Sequence, residues 1–168
     1  ALNAGQKSSG QDSIAAANMA AVALGAVARG GRGGAEVEAV GAFAMRAAPT
    51  GIGAIAQRLA ETHVTEKPTV VIERYTDGQR SVFVAYLPGM RNLEVGTGSE
   101  PFDLAASVQQ LADPDSATSQ KAVEEALRAA GVKPNDELVV AGYSQGGMVA
   151  GGLAAGSGEF NVTAIVTL

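Results

Sequence analysis

The 168 residues are enough for one ordinary domain with a sizeable core. Twelve Lys and Arg against 17 Asp and Glu leave a net charge of -5, and no basic run is long enough to follow a phosphate backbone, so nucleic acid is excluded as the expected partner. The absence of cysteine excludes a disulfide framework, a thiolate metal site and a cysteine nucleophile.

Residues 1–12 are polar and glycine-bearing, and Ser13 is placed to cap a helix running to about Ala28. The stretch Ile14 to Ala28 is too short to cross a bilayer and follows no basic cluster, which favours a cytoplasmic setting over a secreted one. Gly30-Gly31-Arg32-Gly33-Gly34 then breaks the helix. A second helical piece is expected over 35–47, ending near Pro49, and a third over 53–62 with Ile55 and Leu59 on one face. Residues 1–65 thus read as an Ala/Gly-rich helical N-terminal region.

The character changes at Lys67-Pro68. Residues 69–76 and 80–87 are β-branched and aromatic runs separated by Asp77-Gly78-Gln79, which is hairpin chemistry because Asp-Gly tolerates the positive φ of a tight turn. A glycine-rich loop follows from Pro88 to Pro101, after which Asp103 can cap a helix with Leu104, Val108 and Leu111 on one face. A further helix is expected from about Ala117, with Val123 and Leu127 on one face, Glu124 and Arg128 paired, and Gly131 as its stop. Residues 138–143 are apolar on both faces, as a strand covered by helices on both sides must be. A helix to about Ala155 and a strand over 162–168 complete an alternating pattern that predicts an α/β sheet with crossover helices.

Gly142-Tyr143-Ser144-Gln145-Gly146 has the pattern GxSxG, and it lies where the pattern needs to lie, directly after a strand and directly before a helix. A serine at such an apex presents its hydroxyl above the sheet, and the glycines on either side let strand and helix approach closely. The amide of Gln145, at the positive end of the following helix, is a candidate oxyanion donor. The loop Leu87-Pro88-Gly89-Met90 supplies the second candidate, Met90 or a neighbour.

Tyr86-Leu87-Pro88-Gly89-Met90, Pro101-Phe102-Asp103, the helix ending at Gly131 and the GYSQGG turn together resemble the N-terminal half of an α/β-hydrolase core. More narrowly, the chain is similar to actinobacterial serine hydrolases whose turn reads GHSQGG or GYSQGG, and the turn resembles that of cutinases and their lipase relatives. The resemblance covers residues 66–168 and implies an esterase or lipase acting by acyl transfer on a small-molecule or lipid ester, with Ser144 as nucleophile and no cofactor. It also implies that an acid and then a histidine follow the serine. Here only Glu159 is acidic after Ser144 and no histidine follows. His63, the one histidine, precedes the strands and reads as an ordinary helix-end residue. The expectation is therefore an incomplete chain, inactive alone and completed by a missing C-terminal segment or a second polypeptide.

Two rival patterns are weaker. Gly51-Ile52-Gly53-Ala54-Ile55-Ala56, with Glu73 about twenty residues on, imitates a dinucleotide-binding fingerprint, but the residues before it make a poor buried strand. Asp113, Asp115, Glu124 and Glu125 lack the ligand spacing of a cation loop, so no metal is predicted. The alternative function, from a different class, is a non-catalytic hydrolase-like module whose helical N-terminus binds a partner.

Overall fold

The computed structural model describes residues 20–27, 36–43, 46–64, 68–77, 80–90, 101–156 and 158–168, the first two segments as backbone only. Among them run six strands in one mixed sheet of order β2-β1-β3-β4-β5-β6.

The hairpin expected from the β-branched runs is present. Strands β3 (Thr69–Asp77) and β4 (Arg80–Leu87) pair antiparallel from Val71 opposite Tyr86 to Asp77 opposite Arg80. Gly78 and Gln79 of the turn lie outside the described residues. From β4 the chain crosses through helix α2 (Leu104–Ala112), a 3-10 turn (Pro114–Ser116) and helix α3 (Thr118–Ala129) to β5 (Glu137–Gly142), which pairs parallel with β4. Helix α4 (Gln145–Ala155) leads to β6 (Val162–Thr167), parallel to β5. This part of the chain is α/β, with crossover helices joining parallel strands.

The helix ends follow local chemistry. Asp103 Oδ1 accepts from the Ala106 amide at 2.7 Å and caps α2. At the end of α3, Gly131 takes φ 79°, its amide donates to Arg128 O, and the Val132 amide donates to Leu127 O. These two bonds satisfy carbonyls the helix leaves free, while Val132 and Leu127 share the core.

The N-terminal third differs from the expectation. Residues 20–27 and 36–43 form strands β1 (Ala20–Val27) and β2 (Glu36–Phe43), not helices, and β1 pairs antiparallel with both β2 and β3. The alanine-rich composition favours helix locally. However, β3 carries a full row of backbone donors and acceptors on the side away from β4, and pairing that row decides the outcome. Glu36-Val37-Glu38 already alternates with strand period. The proposed Ser13 cap and the Gly30–Gly34 break lie outside the described residues. The third helical piece is present as α1 (Ile52–Glu61).

The two sheet faces carry separate cores. Val70, Ile72, Phe83, Ala85, Leu87, Leu138 and Val140 pack under α3 and α4, with Val123, Leu127, Val149 and Leu153. On the opposite face Tyr75, Val84, Tyr86 and Ala141 pack with Leu59 and Ile55 of α1. Leu138 pairs with Val162 but Val139 with Ala164, so Thr163 is an extra residue. That bulge inverts the alternation of β6, placing Val162 with the first core and Val166 with the second.

The expected apolar face of α2 is not its buried face. Val108 and Leu111 are 60% and 73% exposed, whereas Ala106, Ser107 and Gln110 are buried. A polar network compensates: Ser119 Oγ donates to Gln110 Oε1 at 2.9 Å, and Gln110 Nε2 donates to Gln120 Oε1 at 3.1 Å. A Cβ at Gly152 of α4 would stand 2.3 Å from Gln120 Oε1, so the missing side chain there makes room for the network.

Candidate active site

β5 ends at Gly142 and α4 begins at Gln145, leaving Tyr143 and Ser144 to reverse the chain. Ser144 takes φ 51° and ψ -112°, and among the described residues it is the one non-glycine residue with positive φ. Such a conformation costs an L-residue on the order of 1–3 kcal/mol and persists only where the surroundings enforce it.

Those surroundings are visible. A Cβ at Gly142 would lie 2.2 Å from the Gly146 carbonyl oxygen, and one at Gly146 would lie 2.5 Å from Leu87 O and 2.6 Å from Pro88 O. Both positions therefore require glycine through contact with backbone that cannot move aside. The turn is tied on both sides: the Tyr143 amide donates to Leu87 O at 3.3 Å and the Ser144 amide to Leu168 O at 3.2 Å. The hydroxyl-bearing residue is solvent-exposed at the C-terminal ends of parallel strands, where open α/β sheets bind their ligands.

The two predicted oxyanion donors flank this turn. Gln145 is the first residue of α4, so its amide has no acceptor within the helix and lies at the positive end of the dipole. Its side chain is buried and donates from Nε2 to Pro101 O at 3.2 Å, tying α4 to the entry of α2. Met90 lies in the segment leaving β4, beside the turn, and is half-buried with its sulfur 3.7 Å from Ser107 Oγ. Gly89, before it, approaches so closely that a Cβ would be 2.7 Å from the Tyr143 ring. The rest of the glycine-rich loop, 91–100, lies outside the described residues.

His63 is a helix-end residue, as expected, but not an ordinary one. Its Nε2 accepts from the Gly89 amide at 3.3 Å, and its ring stands edge-on to Tyr143 with centroids 5.2 Å apart. Nδ1 lies 3.3 Å from Leu59 O and from Thr62 Oγ1. An imidazole accepting at Nε2 carries its proton on Nδ1, which matches donation to the Leu59 carbonyl. Both nitrogens are thus occupied, and the histidine holds the segment after β4 instead of meeting the serine. Nothing near it in sequence signals its place beside the turn, because Gly89 and Tyr143 come from the segments that follow β4 and β5.

Glu159 is occupied too. Arg128 donates to it from Nε and Nη2, each at 2.7 Å, and these hydrogen bonds hold its carboxyl below the usual range. It precedes β6, at the end of the sheet opposite Ser144. Among the described residues, no carboxylate or imidazole is bonded to the serine hydroxyl.

A third group of titratable side chains lies beneath α1. Glu73, 2% exposed, accepts at Oε2 from Tyr75 OH (2.5 Å), Tyr86 OH (2.8 Å) and Arg58 Nη1. Burial first, and then the Glu73 carboxylate, push both phenols above their usual range. Burial by itself would lower the Arg58 guanidinium, but the charge and hydrogen bonding of Glu73 and Tyr86 together more than offset it. Every partner here is internal, and the arrangement joins α1 to the sheet.

The dinucleotide pattern finds no support at its second glycine, since a Cβ at Gly53 would meet nothing within 4 Å. Among the described residues, a surface cavity of about 530 Å³ lies at the N-terminal ends of β5 and β6 by Pro134 and Phe160, and no nucleophilic or titratable side chain lines it. A smaller one, about 330 Å³, abuts Tyr143. Ser144 is thus the residue where chemistry and geometry coincide. No family model, no curated protein and no solved structure matches the chain.

Proposed function

We propose that this chain carries the nucleophile-bearing part of an α/β-hydrolase-type serine hydrolase, an esterase or lipase working by acyl transfer. The observation that carries the reading is the backbone of Ser144, held at φ 51° between a parallel strand and a helix by two glycines that no other residue could replace. Strain of this kind concentrates where a side chain must be presented.

In this reading Ser144 Oγ attacks the ester carbonyl carbon as a base takes its proton, and the Gln145 and Met90 amides receive the negative charge formed on the carbonyl oxygen. Collapse breaks the bond to the alcohol, which leaves with that proton, and water then releases the acid by the same route. Because His63 and Glu159 are committed elsewhere, we assign the base and its acid to polypeptide outside these residues, a further segment or a second chain.

Treating the full-length protein with a fluorophosphonate tests the proposal. Covalent labelling at Ser144, lost in Ser144→Ala, is the expected result. A folded full-length protein that takes up no label would instead favour the non-catalytic module, in which the strained turn is architecture alone.

A further inference from the structure

An oxyanion site that takes its two amides from different segments works only if those segments are held firmly relative to each other. The Gln145 amide is fixed by α4, which begins there. The Met90 amide belongs to neither a helix nor a strand, and the residue before it is glycine. The freedom of a glycine backbone leaves the next peptide plane undirected unless something outside holds it.

His63 supplies that hold. Its Nε2 accepts the Gly89 amide at 3.3 Å, and its ring meets the Tyr143 ring edge-on with centroids 5.2 Å apart. Gly89 is pressed against the same tyrosine, since a Cβ there would stand 2.7 Å from the Tyr143 ring and 3.1 Å from its carbonyl oxygen. Imidazole, glycine and phenol ring thus form one three-way contact between the segment leaving β4 and the turn leaving β5. On the other side of the peptide, Ser107 Oγ lies 3.7 Å from the Met90 sulfur. The peptide between Gly89 and Met90, which carries the candidate donor, is therefore held before and after.

The tautomer that makes this contact is set by α1. An imidazole accepts at Nε2 only when its proton is on Nδ1. Nδ1 lies 3.3 Å from the carbonyl oxygen of Leu59, in the last turn of the helix, and from Thr62 Oγ1, which donates its own proton to Leu59 O at 2.7 Å. Both oxygens can accept from Nδ1, and that favours the proton there. α1 is in turn docked on the sheet by Ile55, Leu59 and the ion pair of Arg58 with Glu73. A continuous path of packed groups runs from the sheet through α1 and His63 to Gly89.

We propose that His63 is a positioning residue of the candidate oxyanion site: it aims the Met90 amide by holding Gly89 against Tyr143, and it takes no proton from Ser144. The assignment rests on the reading of Ser144 as nucleophile. It gives α1, which lies outside the residues that resemble a hydrolase, a part in that reaction.

Two substitutions in the full-length protein separate the hydrogen bond from the packing. His63→Gln keeps an acceptor oxygen and loses the ring, whereas His63→Phe keeps an aromatic edge against Tyr143 and loses the acceptor. Inactivation by a fluorophosphonate is resolved into a reversible affinity and a limiting rate constant. In His63→Phe the limiting rate constant should fall by about tenfold or more with the affinity unchanged, because a misdirected donor is missed in the transition state and not in the encounter complex. His63→Gln should restore most of that rate, which it could not do for a general base, since an amide side chain takes up no proton. Hydrogen exchange at the Gly89 and Met90 amides should quicken in His63→Phe and not in His63→Gln. Should His63→Phe fail to fold, the imidazole nitrogen NMR shifts of the unsubstituted protein decide: a proton on Nδ1 is expected, and a proton on Nε2 overturns the proposal because that nitrogen could not then accept. A folded His63→Phe protein labelled at the unsubstituted rate, or equal losses in both variants, overturns the positioning role and leaves the hydrolase reading standing. An unsubstituted protein that takes up no label removes the hydrolase reading itself, and the positioning role with it.

Discussion

Ser144 concentrates the residue-scale argument, because its backbone works against stability while presenting the hydroxyl. Glycine adopts φ 51° without the clash that a Cβ creates. Ser144→Gly is therefore expected to raise unfolding stability by about 1 kcal/mol in denaturant titration, and to abolish fluorophosphonate labelling. An unchanged or lower midpoint would argue that the turn is not strained. Gly142→Ala should act in the opposite direction and cost about 1–3 kcal/mol or more, since its methyl meets backbone 2.2 Å away. The two buried phenols give a pH prediction. Their ionisation is raised in the folded chain, so the stability they contribute is complete below the unfolded phenol value of about 10 and falls as pH rises past it. Urea midpoints should decline between about pH 10 and 12, and Tyr86→Phe should flatten that decline. At this scale the sharp turn at Ser144 was legible because its glycine spacing lies within five residues, whereas the position of His63 was not, because Gly89 and Tyr143 reach it only through the fold.

The elements show where local pattern wins and where it loses. α1 docks through Leu59 and Ile55, as its spacing indicated, but also through half-buried Arg58, which pairs with the buried Glu73 carboxylate. Arg58→Ala would leave the Glu73 carboxylate buried without its cation and should cost about 3–5 kcal/mol in denaturant unfolding. The double variant Arg58→Leu/Glu73→Leu should recover most of that loss, since an apolar pair leaves no stranded charge. If the double variant is as unstable as the single one, the pair does not act as a unit. For α3 the expected face and the Gly131 stop are both present, because Val123, Leu127 and the cap lie within the element. For α2 the hydrophobic spacing pointed to the wrong face. Burial of Gln110 and Ser107 became favourable only once Ser119, Gln120 and the side-chain-free surface of Gly152 were brought against them, and no short window of sequence holds that information. The same holds for β1 and β2, whose alanines favour helix until the open edge of β3 offers a full ladder.

At the scale of the whole molecule, the β1–β2 hairpin covers the edge of β3, and β4, β5 and β6 set the candidate nucleophile above their C-terminal ends. Removing residues 1–45 should leave β3 with an unpaired edge and convert the protein to concentration-dependent oligomers in light scattering. A monodisperse monomer across the concentration range would show that the hairpin is not needed to protect that edge. The β3–β4 hairpin, the strand, turn and helix around Ser144 and the ends of α2 and α3 were all legible in the chain itself. Each depends on residues within one or two turns or on a strict repeat of two or three to four positions. The order of strands in the sheet, the face on which α2 lies, and the meeting of His63, Gly89 and Tyr143 were settled by packing. They follow from pairing backbone edges and filling space between segments distant in sequence, where the energy of a choice depends on partners that its own neighbourhood does not contain.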